Sequence, residues 1–359
     1  MSNLIDYVNW RGDLSVSAVP VGEVDGLILA QCSMFRWENA LDGSGVLRDV
    51  APLLQEEPVS VGFTAENDKK LLDLLESSKR FGNILLSDYV HETDERSEMQ
   101  FAAITLHLGK DLHYISFRGT DNSVVGWKED FNMAFSRPVP AQEAAADYLR
   151  FIAGKFAGTF LVGGHSKGGN LAMYASATIE DNVRDRIRAI YNYDGPGLSD
   201  KMDAPMLYSR INSRLHSFVP QGSVIGMLLA HPDQYSVVKS NSVSILQHDP
   251  YSWQVEQGHF LHLPAVAGES ARFEAAFQQW LCEVNETERA ELVDSLFEVI
   301  DATNAQNFGR EFWIGLAQNS KAVWKAMSDI GPEKRARVKK MITDLGRLAM
   351  QDPEENKPI

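Results

Sequence analysis

The run Gly164-His165-Ser166-Lys167-Gly168 sets a hydroxyl between two glycines, with a third, Gly169, directly after. A G-x-S-x-G run carries chemistry when a strand precedes it and a helix follows, because the sharp turn between them lifts the serine oxygen clear of the backbone. Both flanks are present: Thr159 to Val162 reads as a buried strand, and the small-residue stretch Leu171 to Ile179 reads as a helix. Such a turn strains the serine backbone, and only neighbours without side chains tolerate the close contacts it forces. The competing reading, a phosphate loop at a helix N-terminus, lacks both the Walker spacing and a G-x-G-x-x-G run. Ser166 is therefore the candidate nucleophile, and the backbone N–H of Lys167, next in the chain, is a candidate oxyanion donor.

A serine of this kind needs a base, and the base needs an orienting acid, in the chain order Ser, Asp or Glu, His. His216, His231, His248, His259 and His262 follow Ser166. His248 is the candidate base, since it ends a strand expected over Ser242 to Gln247 and precedes Asp249-Pro250, which turns the chain into a loop. His259 and His262 flank the apolar pair Phe260-Leu261 and read as core or surface groups, and His165 reads as a ring packed beside the strand. Asp194 is the candidate acid, at the end of a strand expected over Ile187 to Tyr193 and before Gly195-Pro196-Gly197, with Asp233 second. Turn capping is the alternative role for an aspartate before Gly-Pro.

These groups need a scaffold, and the hydrophobic periodicity supplies one. Phe101 to Leu108 and Leu112 to Phe117, joined by Gly109-Lys110-Asp111, read as a hairpin. Ala145, Tyr148, Leu149, Ile152 and Phe156 fall at helical spacing, and further strands are expected at Leu215 to Val219 and Val243 to Leu246. Strands alternating with helices imply a mostly parallel sheet covered on both faces, an α/β architecture. Before it, residues 1–97 read as a mixed lead-in with a helical stretch near Asp25 to Trp37 and a polar segment from Ser87 to Ser97. The apolar run Val224, Ile225, Met227, Leu228, Leu229 reads either as the lining of an acyl pocket or as a buried helix turn. From residue 265 to 359 the pattern turns helical, with Asn285 and Glu288 as a capping box and stripes at Leu292, Leu296, Ile300 and at Phe312, Leu316, Val323, Met327. We expect an extension docked on a sheet domain of residues 1–264, its basic cluster Lys334, Arg335, Arg337, Lys339, Lys340 forming a solvated face.

Composition narrows the partners. Of 359 residues, 34 are basic and 49 acidic, a net charge of -15, which repels phosphate backbones and argues against nucleic-acid binding. With 44% hydrophobic and 23% charged residues the chain has the balance of a folded globular protein. Cys32 and Cys282 supply neither a disulfide framework nor a CxxC metal site and read as buried thiols. No stretch reads as a signal peptide or membrane span, so a cytoplasmic protein is expected, and nothing points to a metal or organic cofactor.

Several ordered motifs also carry a resemblance. Ile115-Ser-Phe-Arg-Gly-Thr-Asp121, then Trp127 and Asp130, then Gly163 to Ala172 resemble the lipase class 3 branch of the α/β-hydrolases. Phe117 to Asp121, Gly126 to Phe131 and Gln247 to Pro250 are closer still to a bacterial family of lipase-like proteins without a settled activity. The likeness spans roughly residues 20 to 260. It implies an α/β-hydrolase fold and assigns Thr120, the hydroxyl residue after Gly119, as the second oxyanion donor; a tight strand-end turn with Arg118 paired to a carboxylate is the alternative. One departure stands out. Class 3 lipases carry an aspartate just before a Val-Pro-like turn, whereas Phe218 to Gly226 offers Ser223 and no carboxylate. Either another residue orients His248 or none does; Asp194 is the choice, an arrangement similar to that of pancreatic-type lipases, which Tyr193 to Pro196 resembles. The implied activity is a serine hydrolase cleaving an ester, thioester or lipid acyl bond of a small-molecule or lipid substrate. The rival is a non-catalytic protein of the same fold that binds an acyl ligand or a partner protein.

Overall fold

The computed structural model describes residues 2–54, 58–61, 64–121, 138–199, 202–229 and 234–268, with isolated positions 126, 129, 133, 332, 335 and 336. The extension expected over 265–359 therefore lies almost wholly outside the described residues, as do His231 and Asp233. The helices are α1 (Leu4–Arg11), α2 (Glu23–Gln31), α3 (Leu47–Val50), α4 (Ala65–Ser77), α5 (Pro140–Lys155), α6 (Lys167–Thr178), α7 (Asp181–Arg184) and α8 (Ala204–Ile211). The strands are β1 (Ser44–Val46), β2 (Leu85–Asp94), β3 (Met99–His107), β4 (Leu112–Phe117), β5 (Thr159–His165), β6 (Ile187–Tyr193), β7 (Leu215–Pro220), β8 (Ser236–Val238), β9 (Val255–Glu256), β10 (His259–Phe260) and β11 (His262–Leu263).

Nine strands form one sheet in the order β1-β2-β3-β4-β5-β6-β7-β8-β11. The run from β4 to β8 is parallel, and antiparallel strands close both ends. Because side chains alternate across a strand, each central strand feeds two cores. Phe160 and Val162 of β5 pack with Leu149, Ile152 and Leu171 on the α5–α6–α8 face, while Leu161 between them joins Leu27, Ile28 and Tyr114 on the α1–α2–α4 face. A strand buried on both faces reads as a short apolar run, which is why β5 was legible; β6 was legible from its apolar residues Ile187, Ala189, Ile190, Tyr191 and Tyr193 despite the exposed Arg188.

Two expectations need correction. The polar segment from Ser87 onward belongs to the ten-residue strand β2, whose last four residues, His91 to Asp94, are exposed although they pair with the buried strand β3, and so need no apolar face. A register shift between Ser87 and Val90, with Asp88 at φ 53°, further blurs its periodicity. Conversely, Val243 to Leu246 is no strand: Ser244–His248 is a 3₁₀ helix on a loop, leaving Val243 70% and Leu246 63% exposed. The sheet position expected for it is filled by β8, seven residues earlier in the chain than the start of that run. The apolar run Val224 to Leu229 lies outside any helix and forms a turn in which Leu228 N–H donates to Ile225 O at 3.0 Å, with Met227 packed on Val219 and Val237. Cys32 is buried, and burial pushes its thiol up to about 12, so it is inert as a nucleophile.

Candidate active site

Ser166 lies between β5 and α6, with φ 57° and ψ −131°, backbone angles that a non-glycine residue adopts only where its surroundings enforce them. Its N–H donates to Tyr193 O of β6 at 2.9 Å, and Gly169 N–H donates back to Ser166 O at 2.9 Å. The glycines make the turn possible: a Cβ on Gly164 would collide with the backbone of Gly168, and one on Gly168 with Phe117 O. The first turn of α6 is thus pressed against the end of β4. Beside it, the Arg118-Gly119-Thr120 turn approaches so closely that a Cβ on Gly119 would stand 3.3 Å from Ser166 Cβ. Thr120, half-buried, follows on that turn, and Lys167 opens α6, where the first N–H groups have no intrahelical acceptor.

The candidate acid and base, Asp194 and His248, meet at the same end of the sheet. Asp194 follows β6 in the left-handed region, φ 52°, which aspartate tolerates better than most residues. Its turn is clamped from two sides: Asn192 Oδ1 accepts from Gly195 N–H at 2.9 Å, and Asn170 Nδ2 of α6 donates to Gly197 O at 2.7 Å. Asp194 is fully buried and accepts from His248 Nδ1 through Oδ2 at 2.7 Å. Oδ1 accepts from Ser223 Oγ at 2.5 Å and from Gly226 N–H at 3.1 Å. Its side chain therefore serves His248 rather than capping its own turn. Since a carboxylate only accepts, Nδ1 carries the ring proton, and Nε2 of a neutral His248 keeps the lone pair that a general base needs.

His165 was read as packing beside the strand; it also holds the loop that carries His248. Its Nε2 donates to His248 O at 2.9 Å, and the two rings lie 4.6 Å apart. Burial, and then the neighbouring His248, hold His165 well below the ordinary histidine range, so it stays neutral. Among the described residues the Ser166 hydroxyl makes no hydrogen bond, so the link from the candidate nucleophile to the candidate base is open here; bonds between such groups often tighten only around substrate.

Other partners were invisible in the sequence. The Lys167 side chain is buried, donating to Gln100 O at 2.7 Å, Gln100 Oε1 at 2.6 Å and Glu129 Oε2 at 3.0 Å. Glu129 Oε1 in turn accepts from Ala141 N–H in the first turn of α5, at 3.0 Å. This ion pair ties the residue after Ser166 to the Gly126-to-Phe131 block. Among the described residues Arg118 binds no carboxylate: it donates to Ser33 O at 2.6 Å, Phe35 O at 3.0 Å and Tyr89 Oη at 2.7 Å, which does not match the alternative reading of that turn. His259 and His262 face Glu23 instead, at 3.7 and 2.9 Å, and are 73% and 43% exposed at the side chain. Among the described residues no group of three or more His, Cys, Asp or Glu is arranged to hold a metal ion. No helix among them is long and apolar enough to cross a membrane.

A mostly parallel sheet with helices on both faces, and a serine on a strained turn between a central strand and the helix after it, define an α/β-hydrolase fold. The chain belongs to the Mbeg1-like family, whose model matches residues 75–298, more than half its length. Among solved structures it is similar to a mutant of MDLA from Penicillium cyclopium, at 11% identity and a TM-score of 0.42, over 66% of this chain and 82% of that one. It is also similar to M37 lipase, at 14% identity and a TM-score of 0.34, over 48% of this chain and 64% of that one. A search of curated proteins finds no match.

Proposed function

We propose that the chain is a serine hydrolase acting on an ester, thioester or lipid acyl bond through an acyl-enzyme. In this reading Ser166 Oγ attacks the acyl carbonyl while His248 Nε2 takes its proton, and Asp194 stabilises the imidazolium and fixes its tautomer. The N–H of Lys167 and the hydroxyl of Thr120 receive the developing oxyanion. His248 then returns the proton to the leaving group, and water repeats the sequence to release the acid. The observation that carries the reading is the 2.7 Å hydrogen bond from His248 Nδ1 to a fully buried Asp194, at the sheet end where Ser166 sits on its strained turn. The resemblance of its motifs to the lipase class 3 branch agrees with it. Sheet domain 1–264 carries all five proposed groups, which leaves 265–359 free for another role. The test is turnover of p-nitrophenyl esters and acyl thioesters of graded chain length by wild type and Ser166→Ala. Turnover lost in the variant supports the reading; no turnover by folded wild type, or equal turnover by the variant, contradicts it.

A further inference from the structure

The carboxylate that should orient the base leaves β6, yet the turn after β7 still reaches the same spot with Ser223. That turn is built to hold its position. Ser223 N–H donates to Pro220 O at 3.0 Å, and Gly222 N–H donates to Oε1 of Gln247, the residue before His248, at 2.8 Å. Ser223 itself is 1% exposed. Its hydroxyl carries one proton, and Oδ1 of an ionised Asp194, 2.5 Å away, can only accept, so the hydroxyl donates. Gly226 N–H donates to the same oxygen at 3.1 Å, and a Cβ on Gly226 would collide with it.

These contacts solve a geometric problem. The final torsion of an aspartate is broad, and a single hydrogen bond to one carboxylate oxygen leaves the whole group room to turn about Cβ–Cγ. Two donors converging on Oδ1 from one rigid turn fix the plane of the carboxylate, and Oδ2 then has one direction, toward His248 Nδ1. The Gln247 bond ties the base loop to the same turn, so acid and base are referenced to one piece of backbone. We propose that Ser223 is a positioning residue, its hydroxyl holding Oδ1 of Asp194 so that Oδ2 stays aimed at Nδ1 of His248. The role presumes the hydrolase reading above, although the contact it describes exists whether or not the enzyme turns over.

The experiment compares wild type, Ser223→Ala, Ser223→Cys and Ser223→Thr. Alanine removes the donor, cysteine keeps the shape with a poor donor, and threonine keeps the hydroxyl. Two readouts are taken: kcat and KM on a p-nitrophenyl ester, and the low-field proton signal of His248 Nδ1–H. Loss of a hydrogen bond to a charged group lowers kcat about ten- to hundredfold in the alanine and cysteine variants, with KM nearly unchanged. Threonine restores kcat, and the low-field signal weakens or shifts in the first two variants alone. An alanine variant with wild-type kcat and signal overturns the proposal, as does a threonine variant that falls with alanine while its thermal midpoint matches wild type. Were wild type to turn over no ester, the hydrolase reading would fail separately, and the His248 signal would still decide Ser223: lost in the alanine variant, the role stands; kept, it falls.

Discussion

Replacing Asp194 by asparagine exchanges one oxygen for an amide and nearly preserves shape, and the structure dictates which way that amide faces. Oδ1 accepts from Gly226 N–H and Ser223 Oγ, and a backbone N–H cannot turn away, so the asparagine oxygen must occupy the Oδ1 site. The NH₂ group then points at His248 Nδ1, at the position now 2.7 Å from it. Two donors cannot face each other, so the imidazole gives up its Nδ1 proton and carries it on Nε2, where the base needs a lone pair. The wrong tautomer costs about 10⁴ in turnover in triads of this type, or roughly 5.5 kcal/mol of barrier. Steady-state hydrolysis of a p-nitrophenyl ester, with the thermal midpoint as a control for folding, measures it. A folded Asp194→Asn variant within about tenfold of wild-type kcat would refute the tautomer argument.

Other consequences follow from the same contacts. His248→Ala should abolish ester turnover, whereas His259→Ala, at an exposed side chain facing Glu23, should leave it intact; the reverse pattern would mean that the base is misassigned. Lys167→Met leaves Glu129 buried without its cation and should lower stability by about 3–5 kcal/mol in urea unfolding, while a loss below about 1 kcal/mol would show the pair to be expendable. Asp68 is buried among neutral donors, Ser60, Thr64 and Tyr251, and burial raises its carboxyl above the usual range. A raised acid favours the folded state most when protonated, and that benefit is lost as pH climbs through the folded value. The stability of Asp68→Asn relative to wild type should therefore improve as pH rises from about 4 toward neutrality, and a difference that moves the other way in urea titrations would contradict the assignment.

How legible these features were depended on how local their causes are. The β5–Ser166–α6 unit could be read because burial on both faces and the glycines at close contacts leave marks within a dozen residues. β6 and Asp194 were legible from equally local marks. The loop holding His248 was expected as a strand, since Val243 and Leu246 are apolar, and apolarity alone does not say that a residue is exposed. β2 escaped notice because its exposed last four residues form no apolar face to betray it. Least visible were the contacts that set the site: Ser223 meets Asp194 across 29 residues, His165 meets His248 across 83, and Lys167 meets Glu129 across 38. No spacing rule encodes such pairs; they exist only once the sheet has brought strand ends together.

The proposed function stands or falls with Ser166 as an activated nucleophile. Treating the folded protein with a fluorophosphonate ester and mapping the adduct by peptide mass spectrometry tests it without knowledge of the natural substrate. One stoichiometric adduct on Ser166 is expected, absent from Ser166→Ala and from His248→Ala. Folded wild-type protein that takes no label, or a label that persists in Ser166→Ala, would contradict it.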